Sequence, residues 1–275
     1  MAEYLKSLFG LENKVAVLTG GAGVLSGEMA KGLIRAGASV VLLDVHEKKL
    51  EERKLALGAE NYKAECLTCN VLDEKHLVSI RDEIIERFGT LDILINAAGG
   101  NVPGATVGID QTVFDLPTDQ LRTVTDLNFW GTVLPTLTFG KIMAAQKSGS
   151  IINISSMASL RSISRVVGYS AAKAAVDNFT RWMAVELAQK FGGGIRVNAI
   201  APGFLITDQN RALLTDRDGS LTERGKAVIG MTPFRRFGLP AELVGTILWL
   251  SGNASQFVTG AVIPIDGGFS INSGV

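Results

Sequence analysis

Cysteine is scarce, two in 275 residues, which excludes a disulfide-stapled scaffold and fits a reducing compartment. Histidine is equally scarce, with only His46 and His76, so the usual ligands of a catalytic metal are in short supply. No charge sign dominates, because 27 Lys and Arg face 27 Asp and Glu. A nucleic-acid binder normally carries a basic surplus to neutralise phosphates, and this chain has none. Long apolar runs are missing too. The charge-free stretch 127–140 contains Asn128 and Pro135 and falls short of the roughly 20 apolar residues that span a bilayer. Residues 1–10 (MAEYLKSLFG) carry Glu3 and Lys6 and lack the apolar centre of a secretory signal. The expectation is a soluble cytoplasmic protein without metal, membrane or nucleic-acid partner.

What the chain does have is a globular share of apolar residues, 47%, and 31 glycines. Short apolar runs alternate with helical patterns from end to end. Strands are predicted at 15–19, 39–44, 62–70, 91–96, 150–155, 195–200 and 261–266, and helices near 25–36, 47–57, 74–88, 118–146, 170–191 and 240–252. Several strand candidates are apolar almost throughout, as strands covered on both faces must be. The alternation predicts right-handed βαβ units and an α/β fold with a doubly wound, seven-stranded parallel sheet in a single domain, residues 1–275. The exception is 203–239, too long for a simple connection and rich in Asp208, Gln209, Asn210, Arg211, Arg217 and Arg224. It reads as an inserted substrate lid.

A glycine-rich turn, Thr19-Gly-Gly-Ala-Gly-Val-Leu-Ser-Gly27, follows the first strand and opens a helix. Such a turn lets backbone N–H groups approach a pyrophosphate at a helix N-terminus. Asp44 ends the second strand, where a carboxylate accepts both ribose hydroxyls of an adenosine. A 2′-phosphate about 4 Å from Asp44 would be repelled by a few kcal/mol at an effective dielectric near 20, so NAD(H) is favoured over NADP(H). Asn96-Ala97-Ala98-Gly99 ends the fourth strand, and its small residues suit a backbone running beneath adenine and ribose. Pro202-Gly203, with Thr207 nearby, is expected beside the nicotinamide.

Tyr169 and Lys173 are spaced i, i+4 at the start of a helical pattern and therefore share a face. A tyrosine that works as acid/base near neutrality needs its pKa lowered about three units, and one nearby cation typically supplies 1–3. Lys173 alone is marginal, and an oxidised nicotinamide is a natural second contributor. Ser156, at the end of the fifth strand, is placed to hydrogen-bond a reacting carbonyl. Asn128 lies on the preceding helix.

Thr19-Gly20, Asn96-Ala-Ala-Gly99, Asn128, Ser156, Tyr169-x-x-x-Lys173 and Pro202-Gly203 together resemble the short-chain dehydrogenase/reductase family, over roughly residues 10–269. The resemblance implies a single Rossmann-like domain, usually in a homotetramer. It makes Tyr169 the acid/base, and Lys173 the residue that lowers its pKa and holds the nicotinamide ribose. Ser156 orients the substrate, and Asn128 supports a water-linked proton relay. Gly20, Gly23, Val24 and Leu25 become the expected pyrophosphate contacts. Two departures stand out. Val24 and Ser26 replace family glycines, with Gly27 one place later, and Asn70-Val71 stands where the family has Asp-Val near adenine.

For the substrate, Arg161 and Arg165 between Ser156 and Tyr169, and the polar residues of 203–239, argue against an acyl-chain or steroid pocket. Arginine suits bidentate capture of a carboxylate. Arg161, Asn210 and Arg211 are the leading contacts, with Asn101 as a polar wall. The stretches 19–27, 201–214, 232–238 and the tail 267–275 resemble the family's sugar-acid branch, the D-mannonate oxidoreductases or fructuronate reductases. That implies NADH-dependent reduction of D-fructuronate to D-mannonate; the nearest rival is gluconate 5-dehydrogenase-like activity. A silent NAD(H) sensor should have lost Tyr169, Lys173 or Ser156, and an acyl-carrier reductase should prefer NADPH and show a basic docking patch. Cys66 and Cys69 have the spacing of a zinc half-site, but no second pair exists and they read as structural.

Overall fold

A computed structural model describes residues 1–60, 62–207 and 210–274. The seven apolar runs pair into one parallel sheet in the order β3-β2-β1-β4-β5-β6-β7. The strands are β1 (Val15–Thr19), β2 (Ser39–Asp44), β3 (Glu65–Thr68), β4 (Ile93–Asn96), β5 (Gly149–Ile154), β6 (Ile195–Pro202) and β7 (Val262–Ile265). The helices are α1 (Ala2–Phe9), α2 (Val24–Arg35), α3 (Glu47–Ala59), α4 (Glu74–Phe88), α5 (Thr118–Thr125), α6 (Gly131–Gln146), α7 (Val167–Phe191), α8 (Arg211–Leu214), α9 (Glu223–Met231) and α10 (Val244–Ser251).

Alternate residues of each strand feed two separate cores, as a period of two requires. Leu18 and Leu42 pack with Met29, Leu33, Ile247 and Leu250 from α2 and α10. Val17, Val41 and Leu43 pack on the other face with Leu77, Ile84, Phe139, Met143 and Met183 from α4, α6 and α7. The strand order reverses between β1 and β4, where Thr19 pairs in register with Asn96. In open parallel sheets the crevice beyond such a switch point holds the ligand.

Three expectations needed adjustment. β3 is four residues rather than nine: it is an edge strand with β2 as its single neighbour, and Tyr62 packs under the Arg35 guanidinium instead, 5.3 Å from its ring centroid. The expected helix 118–146 is interrupted by a π-helical turn, Asp126–Trp130, which separates α5 from α6. The first helix, α1, was not expected; it buries none of its residues. The excursion 203–239 does carry helical content, as α8 and α9, while Asp208 and Gln209 fall outside the described residues. Among the described residues no helix is long and apolar enough to cross a membrane.

A cavity of about 620 Å³ lies away from the strand ends. It lies between α1, α2 and α10, where Lys6 pairs with Glu12 and Lys31 with Glu28 and Glu60. It contains none of the groups discussed below.

Candidate active site

The carboxyl ends of β1 and β4 are stitched together by one hydroxyl. Thr19 Oγ1 accepts from the N–H groups of both Ala97 and Ala98, at 3.0 Å each. Gly20 sits between them at φ +65°, and a Cβ there would lie 2.9 Å from the Ala97 carbonyl oxygen. Gly23 then caps α2 without any side-chain hydrogen bond. The N–H groups of Val24 and Leu25 in that first turn have no intrahelical acceptor, so a 12-residue helix presents free donors and its positive end to the crevice. This is the physical requirement for a pyrophosphate. Asp44 is in place at the end of β2, its Oδ2 accepting from Ala22 N–H at 3.1 Å and its Oδ1 from His46 N–H at 2.9 Å.

The displaced glycine has a structural cause. A Cβ on Gly27 would lie 2.6 Å from Nη1 of Arg53, which reaches over from α3 and donates through Nη2 to the Ala22 carbonyl at 3.3 Å. Ser26, in a family glycine position, is buried instead. Sequence reasoning missed Arg53, since nothing local to residue 53 signals a contact with the glycine turn. Val71 is buried, and Asn70 is exposed with its Oδ1 accepting from Leu72 N–H at 3.0 Å. The Asn96 side chain is turned into the core, donating to Thr136 Oγ1 and Asn153 Oδ1 at 2.8 Å each. Only its backbone borders the crevice. Gly203, after Pro202, is packed so closely on Asp266 that a Cβ would lie 2.7 Å from the Asp266 Cα.

Ser156, Tyr169 and Lys173 converge at the end of β5. Lys173 is 4% exposed and donates to the Ile154 carbonyl at 2.7 Å, with its Nζ 5.7 Å from the centroid of the Tyr169 ring. Burial pulls its pKa down to about 8, against the Asp177 carboxylate one helical turn along, which raises it. Tyr169 is half-buried. Desolvation pushes its phenol up and outweighs the facing Ser156 hydroxyl, which lowers it. In the protein alone the phenol is therefore held protonated, the state from which a proton is donated. Ser156 Oγ accepts from Ala158 N–H at 3.1 Å, which leaves its own proton free.

Asn128 lies within the π-helical turn, fully buried. Its Oδ1 accepts from Gly100 N–H at 3.0 Å, while Nδ2 donates to the carbonyls of Gly100 and Val124 at 2.8 Å each. The amide is thereby consumed in tying Gly100 to the α5 backbone at Val124. Gly99 has φ +155°, and a Cβ there would lie 2.7 Å from Asn128 Oδ1 and 3.3 Å from Lys173 Nζ.

The expected substrate contacts fare differently. Arg161 Nη1 donates to the carbonyls of Phe269, at 3.4 Å, and Asn272, so it tethers the C-terminal segment. Asn210 closes its own turn, accepting from Thr207 N–H at 2.9 Å and donating to the Leu205 carbonyl at 2.7 Å. Arg211 is exposed, and Asn101 donates to Thr106 Oγ1 at 2.6 Å. Cys66 and Cys69 are free thiols, both raised by burial to about 11, and no metal-binding cluster occurs among the described residues.

Comparison with known proteins sets the chain among oxidoreductases. A family model described as Enoyl-(Acyl carrier protein) reductase matches residues 23–270. The uncharacterized oxidoreductase UxuB of Bacillus subtilis is 42% identical over 274 residues, covering 96% of this chain and 98% of that one. A Haemophilus influenzae structure with bound NAD, provisionally named a D-mannonate oxidoreductase, superposes with a TM-score of 0.90 at 41% identity, covering 98% of this chain and all of the other. A gluconate 5-dehydrogenase from Burkholderia cenocepacia, in complex with NADP and tartrate, gives a TM-score of 0.84 at 29% identity over 97% of this chain and 98% of that one. The chain belongs to the short-chain dehydrogenase/reductase family of oxidoreductases.

Proposed function

We propose that this enzyme interconverts a keto-sugar acid and its hydroxy acid with NAD(H), with D-fructuronate reduced to D-mannonate as the specific reaction. The observation that carries the reading is the buried Lys173 ammonium, fixed on the Ile154 carbonyl and 5.7 Å from the Tyr169 ring, beside the Gly99 backbone. The α2 N-terminus, Asp44 and the close-packed Gly20 and Gly203 fit a dinucleotide laid across the switch point. Asp44 supports NAD(H) over NADP(H). Bound NADH supplies the hydride that reaches the ketone carbon.

Tyr169 donates its phenolic proton to the carbonyl oxygen, and Ser156 hydrogen-bonds the same oxygen as charge develops on it. Lys173 holds positive charge next to the phenolate that is left. Asn128 braces the Gly100 backbone, next to the Gly99 position that lies close to that ammonium. The excursion 203–239 acts as the lid. The names of the Haemophilus and Burkholderia proteins support a sugar-acid substrate, and gluconate 5-dehydrogenase-like activity is the alternative.

The test is NADH oxidation with D-fructuronate and 5-ketogluconate, and NAD reduction with D-mannonate. Tyr169→Phe should keep NADH binding and lose most turnover. Full activity in that variant would end the assignment, and tight NADH binding with no turnover across the panel would favour a sensor.

A further inference from the structure

Tyr169, Lys173 and Asp177 follow one another at i, i+4 and i+8, so they run down one side of α7. The proposed reaction uses the first two and leaves Asp177, which is 3% exposed. A carboxyl group taken out of water is costly unless its oxygens are hydrogen-bonded. Among the described residues Asp177 has one such partner. Ser159 Oγ donates to its Oδ2 at 2.6 Å, while Oδ1 is buried with nothing to accept from. Packing alone would favour an apolar side chain at this position.

Ser159 connects that carboxyl group to Ser156. It closes the 3₁₀ turn Met157–Ser159, which Ser156 caps by accepting from Ala158 N–H at 3.1 Å. Ser159 N–H donates to the Ser156 carbonyl at 3.0 Å, and Ser159 Oγ lies 2.7 Å from the same oxygen. The single hydroxyl proton thus serves two acceptors, one on the turn and one on α7. On the strand side, Lys173 Nζ donates to the Ile154 carbonyl at 2.7 Å. Ser156 therefore sits between two ties to α7, one through Ile154 and one through Ser159. Because Ser156 belongs to the connection and Tyr169 to the helix, these ties set the spacing between them.

We infer that Asp177 is a positioning residue, which through the Ser159 hydroxyl clamps the turn carrying Ser156 to the helix carrying Tyr169 and Lys173. The inference rests on the proposed roles of those three residues and adds the pair that keeps them in register. Releasing the clamp leaves every reacting group present and lets the serine drift from the oxygen that the tyrosine protonates.

The experiment measures kcat and KM for the keto acid, NADH affinity by fluorescence and urea unfolding. It compares wild type with Ser159→Ala, Asp177→Ala, their double variant and Asp177→Asn. Each alanine variant should lower kcat about ten- to a hundredfold, the effect of displacing a reacting group by up to about 1 Å, while KM and NADH affinity change less than about threefold. The double variant should be no slower than the slower single one, because both act through one link. Asp177→Asn keeps an acceptor for the Ser159 hydroxyl and should recover most of the loss. Ser159→Ala, a small change at a half-buried position, guards against Asp177→Ala failing to fold. An unchanged kcat in both alanine variants, losses that multiply in the double variant, or losses that scale with the unfolded fraction overturn the clamp and leave the sugar-acid reading intact. A wild type that reduces neither D-fructuronate nor 5-ketogluconate overturns that reading, and the clamp with it.

Discussion

Replacing Lys173 by Met separates what this side chain does for catalysis from what it does to the fold. The ammonium is 4% exposed, and its pKa falls from 10.5 to about 8. A base whose folded pKa is depressed destabilises the folded state wherever both states would be protonated. At pH 7 that gap corresponds to about 3 kcal/mol. Met keeps the length and removes the charge. Opposing this gain, the Ile154 carbonyl loses its 2.7 Å donor, a loss of about 1–3 kcal/mol for a buried acceptor. The variant should therefore be as stable as wild type or more stable, by up to about 2 kcal/mol at pH 7, while having lost nearly all turnover.

The pH dependence is the sharper test. Between pH 8 and 10.5 the unfolded lysine still carries a proton that the folded one has released, so wild-type stability rises with pH. With a folded value of about 8 against 10.5, wild type should gain about 1.3 kcal/mol on the variant between pH 7 and pH 9. Taking the difference between the two proteins cancels Cys66 and Cys69, whose thiols are raised to about 11 and pull stability down above pH 9 in both. Urea unfolding followed by tryptophan fluorescence at pH 7, 8 and 9 gives the numbers. A variant several kcal/mol less stable than wild type, with a difference that does not move over that range, would refute the claim that Lys173 is buried as a strained ammonium.

Two further predictions follow from the dinucleotide floor. Asp44→Asn removes the charge that repels a 2′-phosphate, and its single amide oxygen can still accept from one of the two N–H groups, Ala22 or His46, that the carboxylate holds; the ratio of NADPH to NADH kcat/KM should rise at least about tenfold. Gly27→Ala should displace the Arg53 guanidinium, which lies 2.6 Å from the added carbon, and weaken NADH binding measured by fluorescence. Gly27→Ala combined with Arg53→Ala should recover part of that loss, and simple additivity of the two would show that the contact does not matter.

Much of the framework was legible because it is written in short-range patterns. The runs at 15–19 and 39–44 are apolar on both faces for most of their length, 195–200 is buried on both although Arg196 and Asn198 interrupt one of them, and all three are interior strands. The segment 118–146 misled because its apolar residues continue without a break, whereas the backbone inserts a π-helical turn that places Asn128 beside Gly100. Arg53 was invisible because its partner Gly27 lies 26 positions earlier. Arg161 and Asn210 have backbone partners that the sequence does not announce. Polar side chains in irregular segments are as often needed to satisfy backbone groups, and here Asn272, Thr207 and Leu205 claim them.

The same reasoning distinguishes the asparagines. Asn96 and Asn128 are both fully buried and adjacent to the crevice, and residue type alone gives them equal standing. Their hydrogen bonds separate them. Asn96 spends its amide on Thr136 and Asn153, side chains of the core, and so reports on packing between α6 and the sheet. Asn128 spends its amide on the backbone of Gly100, next to the glycine whose missing Cβ leaves room for Lys173 Nζ. Neither side chain has a donor left for a substrate. In the proposed reaction Asn128 therefore acts through the Gly100 backbone beside Lys173 rather than by touching the substrate.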